Sequence, residues 1–386
     1  MTDAVPFDIV HAPGLAAVAD VFRRNFTRDD DEAQIADLGA QFSVYRHGVP
    51  LIDFKGGWAD RAKTAPVDDH TLMAVYSSGK TAAALVIAWL ADQDRLGYDQ
   101  PVSTLWPDFA QAGKGEVTVA QAMSHQAGLS GITDRSWTPE DWYDWDKTCA
   151  TLAAQEPIFL PGSASGYHPV TYGFLAGEIA RLADKDMRTL GTILREEITQ
   201  PCELDIHIGL PASEHERCAQ MIKPKRLADL GEKNAATKAA FMRPWSSPNS
   251  GTANLWREAE FAGSNCHATA DSLARMMQVF IDGKIGETVV LSEDIVSAVS
   301  TPRVSGPNLV LPFDLTFGAG IMHNAPNFYY GPNAQTLGHS GWGGSCVFAD
   351  PVSGLHGCYA MNRQDKSLIG DPRAVSLISA LYTALD

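Results

Sequence analysis

Ser77 and Lys80 lie three residues apart at the start of an apolar segment, VYSSGKTAAALVIAWLADQDRL, residues 75–96. Ser77 is the only serine of the chain that has a lysine three positions further on. In a helix, residues at this spacing share a face, and an apolar interior lowers the pKa of a lysine. A neutral lysine can take the proton of a serine, so the pair predicts an activated nucleophile. The alternative is that Ser77 caps the helix and Lys80 extends its amine to solvent.

Tyr167 follows the loop PGSASG, residues 161–166, and comes directly before a predicted helix. A phenol in this position can point into a cleft, where it can act as a general base and then as an acid toward a leaving group. A positive charge on Lys80 nearby would lower the pKa of Tyr167, because a cation favours the phenolate. The alternative is a packed aromatic residue whose hydroxyl has an ordinary hydrogen bond.

The stretch TLGHSGWGGSC, residues 336–346, is rich in glycine. Its small residues leave a strand edge open, so a substrate carbonyl can approach a backbone N–H closely, as an oxyanion hole requires. These residues are Gly338, Gly341, Gly343 and Gly344. The alternative is an ordinary glycine turn or bulge, with His339 as a structural histidine.

Other catalytic and cofactor motifs are missing from the sequence. It contains no G-x-S-x-G, no H-E-x-x-H, no P-loop and no G-x-G-x-x-G after a strand. The cysteines have no C-x-x-C spacing, which is typical of reduced thiols rather than of disulfides or a zinc site. They are Cys149, Cys202, Cys218, Cys266, Cys346 and Cys358. We therefore expect no metal ion and no organic cofactor.

The composition is that of a globular, acidic protein. The chain has 386 residues, of which 45% are hydrophobic, and a formal net charge of -16. A surface of this sign repels phosphate backbones and anionic lipid headgroups, so nucleic acids and membrane surfaces are not expected partners. The first residues lack the basic start and apolar run of a secretory signal, and no apolar run is long enough to span a bilayer. This predicts a cytoplasmic protein, whose oligomeric state stays open.

Predicted strands occur near both ends of the chain. Two β-prone runs flank the turn at residues 47–50 and predict an antiparallel hairpin. Further strands are predicted at residues 315–323, 345–350 and 355–361, and helices at 14–26 and 372–385. This pattern predicts an α+β fold (α/β sandwich), in which an antiparallel sheet built from both termini is flanked by helices and carries an inserted, mostly helical domain.

Helices dominate the middle of the chain. Helical spacing of apolar residues predicts helices at residues 119–124, 170–183, 187–199 and, after the insertion, 268–284. Residues 214–264 mix charge, proline and glycine without a clear period, which is typical of a loop-rich insertion that can cover a pocket. The predicted domains are residues 1–75 with 265–386, and residues 76–264, with the active site at their junction.

Three motifs in this order resemble the serine β-lactamase and penicillin-binding-protein superfamily: Ser-x-x-Lys opening an apolar helix, a tyrosine after a PG loop, and the strand motif H-S-G-W-G-G. The sequence is most similar to the class C-like branch, the family VIII carboxylesterases. Residues 90–109, 117–131 and 268–280 also look like family segments. The resemblance runs from residue 41 to the C-terminus, is weakest at 214–264, and implies a β-lactamase/transpeptidase-like fold.

The resemblance implies a role for each matching residue. Ser77 would be the nucleophile that accepts the acyl group, Lys80 its proton partner and Tyr167 the second general base, with Lys80 and Tyr167 titrating as a coupled pair. The backbone amides of Ser77 and Trp342 would hold the oxyanion. The implied oxyanion and substrate-binding residues are Ser77, Trp342, His339, Ser340, Gly341 and Gly343.

Two departures from the family pattern bear on the substrate. His339 stands where penicillin-processing members have a lysine, and we expect it to be a weaker, pH-dependent cation. Pro169 stands where those members have an asparagine, and proline lacks that side-chain amide. The resemblance therefore implies a serine carboxylesterase that hydrolyses short-chain or small-alcohol esters through an acyl-enzyme. The alternatives are an amide or lactam hydrolase of the same fold, like a β-lactamase or a D-aminopeptidase, or a non-catalytic penicillin-binding-like sensor.

Overall fold

A computed structural model of the chain describes residues 4–28, 35–248 and 253–385. The strands of this described part are β1 (Phe7–His11), β2 (Gly39–Arg46), β3 (Val49–Gly57), β4 (Met73–Tyr76), β5 (Ile206–His207), β6 (Cys266–Ala268), β7 (Lys284–Ile285), β8 (Thr288–Val289), β9 (Val304–Pro307), β10 (Asp314–Phe317), β11 (Met322–His323), β12 (Leu337–Ser340), β13 (Cys346–Asp350) and β14 (Leu355–Met361).

Nine of these strands form one sheet in the order β1-β3-β2-β14-β13-β12-β11-β10-β9. Every neighbouring pair in this sheet is antiparallel. The predicted hairpin is confirmed as β2 and β3, and β14 pairs with β2, which joins the two ends of the chain in one sheet. A second sheet of three strands has the order β4-β6-β5.

The α-helices of the described residues lie between and around these strands. They are α1 (Ala16–Thr27), α2 (Lys80–Asp92), α3 (Val119–Met123), α4 (Trp145–Ala154), α5 (Thr171–Ala183), α6 (Leu190–Ile193), α7 (Ala235–Thr237), α8 (Ala253–Glu258), α9 (Ala270–Met277), α10 (Val279–Asp282), α11 (Glu293–Ser300) and α12 (Pro372–Leu385).

The large sheet separates two hydrophobic cores. Alternate residues of a strand point to opposite faces, and β13 shows this directly: Phe348 belongs to one core, whereas Val347 and Ala349 belong to the other. The α1 and α12 helices pack together beside the core of Phe348, and α9 packs on β2 and β14 from the opposite side. The predicted α+β fold, with an antiparallel sheet and flanking helices, is confirmed.

Some predicted elements differ from the structure. The strand expected at residues 315–323 is two short strands, because Gly318 and Gly320 form the turn between β10 and β11, and Gly320 has a φ of 92°. The helix expected at 187–199 begins at Leu190 and ends in a π-helical segment, Leu194–Thr199. The stretch 214–264 contains short helices as well as loops. The predicted domain boundaries stay a prediction.

The α2 helix is surrounded by protein on nearly all sides. Only Trp89 among residues 80–91 is not buried. The helix packs against α5 and α11, and its first turn lies against the end of β12. This arrangement brings the start of the most apolar helix to the edge of the large sheet, where the candidate site lies.

Candidate active site

Ser77 lies in a tight turn between β4 and α2. The turn is the 3₁₀ segment Ser77–Gly79, and α2 begins at Lys80. Tyr76, just before it, has a φ of 49°, which a tyrosine rarely adopts. A Cβ at Gly79 would lie 2.1 Å from the Cβ of Cys266, so no larger residue fits there. The sharp, closely packed turn leaves Ser77 partly exposed and places Lys80 in the interior.

The Lys80 amine is fully buried and has three oxygen neighbours. Its Nζ lies 3.1 Å from Ser77 Oγ, 3.0 Å from the Pro169 carbonyl oxygen and 2.5 Å from the Gly263 carbonyl oxygen. Burial lowers the pKa of Lys80 well below its usual 10.5. A neutral amine has two N–H donors and one lone pair, and carbonyl oxygens only accept. When Lys80 is neutral, its two N–H groups go to the carbonyls and its lone pair faces the Ser77 hydroxyl.

Tyr167 is buried beside this pair. The Lys80 Nζ lies 4.9 Å from the centre of the Tyr167 ring, and the phenol interacts with the hydroxyl of Ser77. Burial raises the pKa of Tyr167 above its ordinary value of 10, and the Ser77 contact only partly opposes this. The predicted lowering of this pKa is wrong, because burial of the phenol disfavours the phenolate more than its neighbours stabilise it. Tyr167 is a protonated phenol that can donate.

His339 lies on β12, at the edge of the same site. Its Nδ1 lies 2.9 Å from the carbonyl oxygen of Ser340, so that nitrogen is the donor. Burial lowers the pKa of His339 to about 3. The prediction that His339 is a pH-dependent cation is wrong, because the imidazole is enclosed and stays neutral at ordinary pH. The site therefore lacks the positive charge that a lysine would supply here.

Residues 341–345, which we call the glycine loop, pack directly against residues 75–79, which we call the Ser77 turn. A Cβ at Gly341 would lie 2.1 Å from the Val75 carbonyl oxygen. The Ser345 hydroxyl donates to that same carbonyl at 2.7 Å and lies 3.0 Å from the hydroxyl of Ser78. The glycine is needed because the two backbones approach so closely, and this contact sets the loop against the Ser77 turn.

The other predicted binding residues take different positions around the loop. Trp342 and Ser340 line the cavity, and the Ser340 hydroxyl is hydrogen bonded to the Tyr330 hydroxyl at 2.9 Å. Gly341 and Gly343 are not among the cavity-lining residues of the described chain. They shape the backbone instead, and their contact with a substrate stays a prediction.

A cavity of about 510 Å³ opens in front of these groups, within the size range of small-molecule sites. Ser77, Tyr167 and His339 line one side of it, and the stretch predicted to cover a pocket supplies another. Most of its remaining wall is apolar. That part includes Leu227, Phe241, Trp256, Leu311, Trp342, Leu368 and Ile369.

Several contributors to the site were not among the residues predicted from the sequence. The Gly263 carbonyl, which binds both Lys80 and Ser77, belongs to the weakest part of the family resemblance. A backbone carbonyl leaves no residue-type signature, so spacing alone could not find it. His125 and Tyr172 also contribute to the site: the centre of the His125 ring lies 4.7 Å from that of Tyr167, and the centre of the Tyr172 ring lies 5.3 Å from Lys80 Nζ. His125 belongs to a segment already noted for its resemblance.

In the described part of the chain, no group of three or more His, Cys, Asp or Glu side chains could hold a metal ion. The six cysteines are free thiols. No helix of the described residues is both long and apolar enough to cross a membrane.

Known proteins are similar to this chain over most of its length. The family model described as Beta-lactamase matches residues 22–380. The Esterase/beta-lactamase LipL of Mycobacterium tuberculosis is 34% identical over 346 residues, which cover 84% of this chain and 77% of LipL.

Two solved structures share the fold at high similarity. A penicillin-binding protein homologue from Caulobacter crescentus is 50% identical with a TM-score of 0.93, covering 98% of this chain and 100% of that one. A family VIII carboxylesterase is 37% identical with a TM-score of 0.89, covering 98% of this chain and 100% of that one.

Proposed function

The chain belongs to the beta-lactamase family, and we propose that it uses this fold as a carboxylesterase acting through an acyl-enzyme on Ser77. Its similarity to a family VIII carboxylesterase and to LipL supports the assignment of the chain as a serine ester hydrolase. The observation that carries the finer assignment is the buried amine of Lys80, whose two carbonyl partners leave its lone pair for the Ser77 hydroxyl.

Acylation follows from these contacts. Lys80 takes the proton of Ser77 while Ser77 Oγ forms a bond to the ester carbonyl carbon. The backbone N–H groups of Ser77 and Trp342 donate to the negative oxygen of the tetrahedral intermediate. Tyr167 then donates its phenolic proton to the departing alkoxide, and the Lys80 ammonium returns a proton to Tyr167. The products are an alcohol and Ser77 esterified with the acyl group.

Deacylation uses the same groups in reverse. A water molecule attacks the acyl carbon while its proton passes through Tyr167 to Lys80, which is neutral again after the first step. The bond to Ser77 Oγ breaks, Ser77 regains a proton from Lys80, and the carboxylic acid leaves. In this scheme Lys80 is the base, and Tyr167 is a proton relay with an acid role, rather than a second independent base.

The surroundings favour small, uncharged esters over antibiotics that carry a carboxylate. His339 is neutral, so it offers no cation to a carboxylate. Pro169 has no side-chain amide to bind an acylamino group. The alkoxide of an ester also leaves more readily than the amine of an amide or lactam. We propose short-chain or small-alcohol esters as substrates.

The second candidate is hydrolysis of a lactam or an amide at the same serine. It is favoured by the 50% identity to the penicillin-binding protein homologue. Comparing kcat/KM for p-nitrophenyl acetate with that for nitrocefin separates the two. We expect the acetate ester to be the better substrate, and a larger value for nitrocefin would favour the second candidate.

Ser77→Ala tests the assignment of the nucleophile. We expect kcat for p-nitrophenyl acetate to fall by about 10⁴-fold or more, because the covalent intermediate cannot form. A fluorophosphonate probe followed by peptide mass spectrometry should label Ser77 in the native chain. The neighbouring Ser78→Ala variant is the control, since it should still be labelled at Ser77. Label at another residue, or full turnover by Ser77→Ala, contradicts the proposal.

A further inference from the structure

Successive carbonyls of the glycine loop each have a hydrogen-bond partner. The Gly341 carbonyl accepts from the Gly344 amide at 3.1 Å, and the Trp342 carbonyl accepts from Gln364 Nε2 at 3.2 Å. The Gly343 carbonyl accepts from the Asp365 amide at 2.8 Å. The N–H of a trans peptide points away from its carbonyl, so holding the Gly341 carbonyl also sets the direction of the Trp342 N–H.

The Gly343 carbonyl has a second donor, the guanidinium of Arg373 at 3.1 Å. Arg373 lies in the first turn of α12, and its side chain is 1% exposed. All five of its N–H groups have acceptors: Asp371, Asp37, the Arg363 carbonyl and the Gly343 carbonyl. The guanidinium is therefore fixed in one orientation.

The two carboxylates around Arg373 are just as enclosed. Asp371 lies 2.7 Å from Nη2 and Asp37 lies 2.9 Å from Nη1, with side chains 1% and 0% exposed. The Tyr359 hydroxyl also donates to Asp37. Burying an ion cluster of this kind adds little net stability compared with an apolar core, so its use is better sought in the geometry it imposes.

The ion cluster of Arg373, Asp371 and Asp37 also contacts the glycine loop at Gly344. Gly344 has a φ of 131°, and a Cβ there would lie 2.3 Å from Asp371 Oδ2 and 2.8 Å from Arg373 Nη2. Only glycine allows this approach. The glycine loop therefore lies between the Ser77 turn, which Ser345 contacts, and the ion cluster, which Gly343 and Gly344 contact.

We propose that Arg373 is a positioning residue that holds the glycine loop so that the Trp342 N–H points at the oxyanion. This rests on the proposed esterase function of Ser77. Arg373 does not touch the substrate; it acts through the Gly343 carbonyl. The groups that stabilise developing charge must be oriented before the reaction, so a looser loop lowers transition-state stabilisation more than substrate binding.

Arg373→Lys tests this proposal. Lysine keeps the positive charge between Asp37 and Asp371, but its ammonium cannot replace the planar fork that reaches Gly343. We expect kcat for p-nitrophenyl acetate, expressed per fluorophosphonate-titrated site, to fall by about tenfold with KM changed by less than about twofold. Titration of active sites removes any effect of a smaller folded fraction, which a merely structural role would produce.

Arg188→Lys is the matched control. Arg188 also lies among carboxylates, Asp184, Glu196 and Glu197, but these belong to the turn between α5 and α6 and to the π-helical segment after α6, and none of these ion pairs involves the glycine loop. Its kcat per titrated site should equal that of the native chain. Equal kcat values for Arg373→Lys and Arg188→Lys overturn the proposal.

Asp371→Asn is a second variant that tests the same proposal if Arg373→Lys does not fold. An asparagine offers one acceptor oxygen in place of two, so Nη2, the nitrogen that reaches Gly343, loses its anchor. The same fall in kcat at a steady KM is expected, and an unchanged kcat overturns the proposal. Label at Ser77 with unchanged kcat in these variants contradicts only the role of Arg373, whereas failure to label Ser77 in the native chain contradicts the esterase mechanism itself.

Discussion

Lys80 and Arg373 are both fully buried basic side chains, yet their surroundings have opposite effects on their pKa values. The neighbours of Lys80 are a hydroxyl and two carbonyls, and burial lowers its pKa well below the usual value. Burial alone would also lower the pKa of Arg373, but Asp371 and Asp37 outweigh it and hold that pKa well above its ordinary value. The chemical type of the partners, and not the depth of burial, decides which side chain keeps its charge.

The difference in charge between Lys80 and Arg373 fits the different roles that we propose for them. The uncharged amine keeps a lone pair and can accept a proton, whereas the charged guanidinium uses every donor to hold backbone and carboxylates in place. Lys114 sharpens the comparison, since it is also buried and donates to the carbonyls of Gln111 and Gln155. Burial lowers its pKa too, but no hydroxyl is bonded to it in the described chain. A lowered lysine pKa alone therefore does not mark a catalytic lysine.

Among substitutions of these buried charged and basic residues, Lys80→Met is expected to have the largest effect. Methionine fills a similar volume but cannot accept the Ser77 proton, so we expect kcat to fall on the order of 10³-fold. The steady-state rate of p-nitrophenyl acetate hydrolysis measures this. The matched variant Lys114→Met removes a buried amine of the same type and should keep the native kcat per titrated site. If both variants lose activity equally, the hydroxyl partner is not what distinguishes Lys80.

A smaller effect, on stability rather than on activity, is expected from Asp37→Asn, which changes a partner of the charged Arg373. Burial raises the pKa of Asp37 from 3.8 to about 6, so the folded chain binds this proton more tightly than the unfolded chain does. The stability this group contributes is present at low pH and is lost as the pH rises through 6. Asparagine does not titrate, so the free energy of unfolding of the variant, relative to the native chain, should rise by roughly 1 kcal/mol from pH 5 to pH 8.

Urea unfolding at the two pH values measures this difference. Asp184→Asn is the control, because the pKa of Asp184 is lowered by its hydrogen bonds to Arg188 and the carboxylate stays charged at both pH values. Its effect on stability should be the same at pH 5 and pH 8. A pH-independent effect for Asp37→Asn as well would contradict the raised pKa of Asp37.

Much of the fold follows from local patterns. The hairpin of β2 and β3, the apolar α2 and the C-terminal α12 are each visible in the spacing of apolar residues and turn residues. The β1 strand was not predicted, because it is short and is defined by its pairing with β3. The break between β10 and β11 was missed for a related reason: a turn at Gly318 and Gly320 only matters once the neighbouring strands fix the register.

The structure brings the predicted site residues together, whereas two of their predicted charge states are wrong. Ser77, Lys80 and Tyr167 have the side chains and spacing that the chemistry requires, and the structure brings them together. The pKa values of Tyr167 and His339 were predicted wrongly, because they depend on enclosure by residues distant in sequence. Backbone groups such as the Gly263 carbonyl have no residue type to recognise.

The most direct test of the central claim is the titration of Lys80 itself. NMR of protein labelled with ¹³C at the lysine ε-carbons follows each amine as the pH changes, and the spectrum of Lys80→Met identifies the Lys80 signal. The account predicts that Lys80 is uncharged at pH 8, with a transition well below 10.5. A Lys80 signal that stays charged at pH 8 and titrates near 10.5 would contradict it.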